Sequence, residues 1–171
     1  MNTKLLQAWI HPHHLETDEL KNYREIFSTH SSHVIFIRNF LLTDVAERLS
    51  RFLSEEGVFN PEYGLYSSKD AVSEEQFSAA ADSDRFFRMR KLKGAAPKFV
   101  MSPNALTYLR FRQVFQEAGF KAFFEAISGL RLESSDDFGS HMMVEGDFLR
   151  PHSDDNRNRR LALVIYLSQR W

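Results

Sequence analysis

At Gly129 the chain changes its period. Before it, apolar residues recur at helical spacing between identifiable caps; after it, "RLESSDDFGSHMMVEGDFLRPHSDDNRNRRLALVIYLS" holds only short extended runs separated by Gly and polar turns. A chain patterned this way must lay helices against an antiparallel sheet, an α+β architecture. The helical part begins with "TDELKNYREIF", where Thr17 is placed as a cap and Leu20, Tyr23 and Phe27 share a face. "HVIFIRNF" reads as a strand, and "LTDVAERLSRFLSEEG" as a helix capped by Thr43 and stopped by Gly57. Residues 58 to 72 read as turns around Pro61 and Gly64, Ser73 with Gln76 as a capping box, and "RFFRMRKLK" as a strand. Ser102 followed by Pro103 opens a helical pair that is expected to break at Gly119 and end at Gly129. The last third is expected to be a β-meander.

The chain's 171 residues, with 43% hydrophobic content and 16 Phe, suffice for one domain with a real core. Residues 1–129 would supply helices and first strands, and 130–171 the β-core. A net charge of −1 demands no nucleic acid or anionic membrane as partner. The absence of Cys excludes disulfides, iron–sulfur clusters and thiol nucleophiles. The longest apolar run, "LALVIYL", is strand-sized, so no membrane segment is expected and the protein is read as cytoplasmic.

"RPHSDD" carries the candidate chemistry. Side chains two apart on a strand share a face, so His152 and Asp154 can reach one ion together. Two His and one carboxylate on one face of Fe(II) leave room for a bidentate organic acid and dioxygen. The alternative is a hydrogen-bonded surface or turn pair.

The context of that pair resembles the Fe(II)- and 2-oxoglutarate-dependent dioxygenases of the prolyl 4-hydroxylase type. Gly146, "DFL", His152, Asp154, the polar "DNRN", Arg159 and Arg160, "LALVIYL" and Trp171 follow one another in the order those enzymes use. "HVIFIRNFLLTDVAERLSRFL" looks like their opening strand and helix. The resemblance implies a double-stranded β-helix (jelly-roll, cupin-like) core with N-terminal helices packed on the sheet. It implies His152 and Asp154 as iron ligands, Tyr166 as a hydrogen-bond donor to the cosubstrate carboxylate, and Arg159 or Arg160 as support for the site. Met142 and Met143 stand where many members carry a second Tyr, and Met143 there either borders the site or fills core. The implied cofactors are Fe(II) and 2-oxoglutarate, with ascorbate as an accessory reductant. The implied substrate is a C–H bond of a peptide, protein or small molecule. In this family the second iron His, and an Arg or Lys for 2-oxoglutarate, follow the Trp. The β-core of this chain is therefore expected to be incomplete at its C-terminus: either shortened relative to a parent gene, or completed by a second chain or a homo-oligomer, or adapted to another use. The rival expectation is a non-catalytic binding or assembly module with a dioxygenase-like fold.

Other signals have plainer readings. His11, His13 and His14 in "HPHH" read as an exposed polar loop rather than a metal tip. His141 could approach His152 across a hairpin, or simply face solvent. "DRFFRMRKLKG" alternates as a charged strand more than as a nucleic-acid patch.

Overall fold

The computed structural model describes residues 3–134, 138–153 and 159–168. Helices α1 (Thr3–Leu6), α2 (Thr17–Thr29) and α3 (Thr43–Arg51) come first, and a π-turn at Phe52–Glu56 leads into strand β1 (Gly57–Leu65). The short helix α4 (Glu74–Ala79) precedes strand β2 (Arg85–Ala95); helices α5 (Pro103–Val114) and α6 (Ala118–Ser128) and strands β3 (His141–Met142) and β4 (Phe148–Leu149) complete the order.

The core is helical and aromatic. Leu6, Ile10, Leu49, Phe52, Val114, Phe120 and Phe123 are fully buried, drawing α1, α3, α5 and α6 around one cluster. Phe52 stacks on Tyr108 with centroids 4.5 Å apart, and Phe115 meets Phe120 at 4.8 Å. The sheet lies beside this cluster and reaches it through Leu92 and Ala95.

Several local signals produce the elements the sequence predicts. Ser73 and Gln76 form a reciprocal capping box. Ser102 Oγ accepts from Ala105 N at 3.0 Å, with Pro103 as the first helical residue. Gly129 ends α6 at φ 71°, a left-handed cap that suits glycine. Thr17 and Thr43 instead begin their helices: the caps are Glu16 and Leu42, neither with a side-chain capping bond. The helical pair breaks before Ala118, and Gly119 lies buried inside α6.

The sheet differs most from expectation. It is antiparallel, with β2 at its centre, β1 along one edge, and β3 and β4 in line along the other. Residues read as turns are β1, whose Pro61 is tolerated because an outer strand need not donate every N–H. Gly64 in β1 lets the Phe87 ring lie against the backbone; an added Cβ would sit 2.2 Å from that ring. Conversely, "HVIFIRNF" enters no ladder. Its ends are turned by His33 (φ 49°) and Asn39 (φ 51°), while Ile35 and Ile37 pack on the core and Val34 and Phe36 point outward. "LALVIYL" is likewise extended without a ladder, with Ile165 and Leu167 against the core. The expected meander is thus reduced, among the described residues, to β3 and β4, and these residues form one four-stranded antiparallel sheet in an α+β fold.

Candidate functional site

His152 is placed by a frame that starts at the turn before β4. Gly146 holds φ 83° there, and the Asp147 carboxylate accepts from Val144 N at 3.0 Å. Its other oxygen takes the Arg88 Nε–H at 3.1 Å, and Arg90 lies 3.9 Å away. Arg88 and Arg90 share one face of β2 because they are two apart on a strand. This nearly buried carboxylate, 6% exposed, fixes β4 against β2 at Phe87 and Arg88. The next residue continues the pairing, since Arg150 N donates to Phe86 O at 3.0 Å. The Arg150 guanidinium forks onto Asp82, with Nη2 at 3.0 Å from both carboxylate oxygens. Tyr66 OH donates to Pro151 O at 2.8 Å and its ring stacks on Phe86 at 5.0 Å.

The imidazole stands at the end of this frame. Its edge meets Phe86 at 5.2 Å, and its Nδ1 lies 3.0 Å from Arg150 O. A carbonyl oxygen can only accept, so Nδ1 carries a proton in this bond. Metal-ligating histidines are commonly fixed through such a bond to a backbone carbonyl. His152 therefore fits a single ligand position.

The remaining predicted residues fall elsewhere. Asp154 and Trp171 lie outside the described residues. Arg159 is exposed. Arg160 and Tyr166, the latter 63% exposed, line a separate groove of about 1600 Å³ between residues 33–41 and 160–168, whose described lining does not include His152. Met142 pairs with Arg90 and is half-buried, whereas Met143 is 51% exposed, which sets aside core filling for it. His141 pairs with Lys91 and so sits five strand residues, on the order of 16 Å, along β2 from Phe86. That separation keeps it from His152. Among the described residues, no group of three or more His, Asp or Glu side chains converges as a metal site.

The HPHH run resolves differently from its polar-loop reading. His14 is buried, its Nδ1 2.7 Å from Tyr23 OH and its Nε2 3.1 Å from Asn39 O. Nε2–H thus donates to the carbonyl and Nδ1 accepts from the Tyr23 hydroxyl. Burial pushes the Tyr23 hydroxyl well above the usual tyrosine range, with the Glu19 carboxylate adding to the shift, so it stays a donor. "DRFFRMRKLKG" is the central strand β2 rather than an edge, and Arg88 and Lys91 pair with Asp147 and Glu62. Among the described residues no helix is long and apolar enough to cross a membrane.

Sequence reasoning missed Asp147, Arg150, Tyr66 and Phe86 as the frame of His152. A usable signal was present for Asp147, an acid next to Gly146 facing a strand with Arg at alternate positions. The Arg150–Asp82 and Tyr66–Pro151 contacts span 68 and 85 residues and leave no local trace.

A family model described as oxoglutarate and iron-dependent oxygenase degradation C-term matches residues 1–171. The chain belongs to that family, which is related to the 2-oxoglutarate and iron oxygenases; the match does not single out prolyl hydroxylases. No curated protein and no solved structure matches the chain.

Proposed function

We propose that this chain supplies part of the active site of an Fe(II)- and 2-oxoglutarate-dependent oxygenase, similar to the prolyl hydroxylases and related to a double-stranded β-helix core. The observation that carries the reading is the orientation of His152, with Nδ1–H held by the Arg150 carbonyl as metal-ligating histidines commonly are. His152 would take one position on the iron and Asp154 the carboxylate position. Bound Fe(II) with 2-oxoglutarate supplies oxidative decarboxylation and hydroxylation of a C–H bond, here on a peptide, protein or small molecule. The chain's own residues orient and shield: Tyr66 and Phe86 wall one side of the imidazole, and the Arg150–Asp82 fork holds the backbone that aims it. A cytoplasmic setting belongs to the same proposal.

Anaerobic calorimetry tests it. His152→Ala is expected to weaken Fe(II) binding by more than about tenfold, since losing a ligand should exceed the 10–100-fold typical of an outer-shell loss. Equal affinity in the two proteins overturns the metal assignment.

A second reading, a non-catalytic binding module within an oxygenase linked to degradation, is favoured by the absence of a convergent metal group among the described residues. Succinate release that requires both Fe(II) and 2-oxoglutarate supports the enzyme. Intact folding with no turnover and no Fe(II) binding supports the module.

A further inference from the structure

The groove that takes up Arg160 and Tyr166 is lined by two extended segments with nothing to pair with. Val34 to Arg38 and Leu161 to Ile165 make no backbone–backbone hydrogen bond among the described residues. Val34 to Arg38 alternates as a strand does, with Ile35 and Ile37 packed on the core and Val34 and Phe36 projecting at 42% and 84% exposure, while in the second segment Ile165 packs on the core and Leu163 and Val164 project at 44% and 66%. Unpaired main chain beside exposed apolar side chains is the template that an added strand completes. At about 1600 Å³ the groove also exceeds the roughly 300–1,000 Å³ of small-molecule pockets.

Charge decides the occupant. The lining carries Arg24, Arg38 and Arg160 against one acid, Glu47. Arg24 is held by the carbonyls of Glu125 and Ala126 at the end of α6, but Arg38 and Arg160 make no ion pair among the described residues. A second copy of this chain would bring Arg38 and Arg160 against the same arginines, and like charges across a strand pair are unfavourable.

We propose that this groove is a strand-acceptor slot for a partner polypeptide, taking one extended segment whose outward-facing positions, two apart, carry apolar and acidic residues in turn. The segment pairs through its main chain with Val34–Arg38 and Leu161–Ile165, sets its apolar side chains beside Phe36 and Val164, and presents its carboxylates to Arg38 and Arg160. This holds independently of any iron at His152.

The test is fluorescence anisotropy with labelled eight-residue peptides and the full chain. A peptide repeating Val-Thr-Glu-Thr, which puts Val and Glu in turn on one face, is expected to bind saturably, and one repeating Val-Thr-Lys-Thr at least about tenfold more weakly, the scale of one or two charge-assisted contacts. The double variant Arg38→Glu with Arg160→Glu, both at exposed positions, should invert that preference. N-methylation of alternate amides in the Val/Glu peptide should abolish binding if main-chain pairing carries it. His152→Ala should bind the peptide as the parent does, which separates this result from that of the iron site. Equal binding of the Glu and Lys peptides, undiminished binding of the N-methylated one, or no saturable binding overturns the proposal. So does a stable dimer in light scattering that Phe36→Asp dissolves, which would assign the groove to a second copy.

Discussion

His14 and Glu56 are buried polar residues whose partners all lie within the fold. His14 joins the start of α2 to the turn at Asn39 through Tyr23 OH and Asn39 O. Glu56 receives Ser102 Oγ–H and, at 2.7 Å, Asn104 Nδ2–H, placing a carboxylate at the N-terminus of α5 where the helix dipole favours it. Truncating either leaves buried partners unsatisfied. Glu56→Ala is expected to cost about 2 kcal/mol, read as a lower urea midpoint at unchanged m-value. Tyr23→Phe should cost about 1 kcal/mol near neutrality. It should also change the alkaline limb. The folded Tyr23 hydroxyl titrates above its unfolded value of about 10, so the stability it contributes is complete below that pH and is lost as pH rises toward the folded value. The parent should therefore lose stability above about pH 10 more steeply than Tyr23→Phe, and parallel curves would sink this account. Neither role was legible in the sequence: "HPHH" displays metal-type residues, and only contacts 9 and 25 residues away make His14 structural.

At the scale of elements, caps were legible and pairings were not. Ser73–Gln76, Ser102–Pro103 and Gly129 act within three or four residues, so their chemistry is written locally. The apolar runs "HVIFIRNF" and "LALVIYL" were also legible as strand-sized, and Ile35, Ile37, Ile165 and Leu167 within them do pack on the core. Alternation records which face is buried, however, and not whether a neighbouring strand exists. β1 was obscured for the opposite reason, because Pro61 and Gly64 are turn residues that an outer strand and a close Phe87 ring can accommodate. Gly64→Ala should destabilise the β1–β2 pair by about 1–3 kcal/mol as the Phe87 ring is displaced. A midpoint unchanged within error would show that the ring moves at no cost. β4 has only two residues, so its register depends on Asp147 and on the Arg150–Asp82 fork. Arg150→Ala should therefore weaken Fe(II) binding about tenfold through loss of His152 orientation, while Arg150→Lys recovers only part of it because Lys cannot fork. Unaltered affinity in Arg150→Ala would remove the fork from the site's frame.

Across the whole molecule, the fold has two tiers. The helical tier holds the fully buried aromatics and aliphatics, with α2 and α1 packed on α6 and α3 packed on α5. The sheet tier shares few core residues, and its outer pieces β3 and β4 rest on two-residue ladders and on half-exposed ion pairs, which contribute little individually. The class α+β followed from the change of period at Gly129, but this division did not, because it depends on which strands find partners. It matters for function because His152 belongs to the weaker tier, whereas the groove is walled by α2, α3 and α6. Local opening free energy scales with buried apolar contact, so amide exchange should separate the tiers. Phe120 and Phe123 in α6, both fully buried, should exchange near the global limit, and Leu149 and Arg150 at β4 faster by at least about a hundredfold, or ~2.7 kcal/mol. If β4 amides exchange as slowly as those of α6, the imidazole is held by a rigid scaffold. If they exchange faster, as expected, ligands that engage His152 bind a segment that opens without unfolding the core, and saturating ligand at His152 should slow exchange at β4 while leaving α6 unchanged.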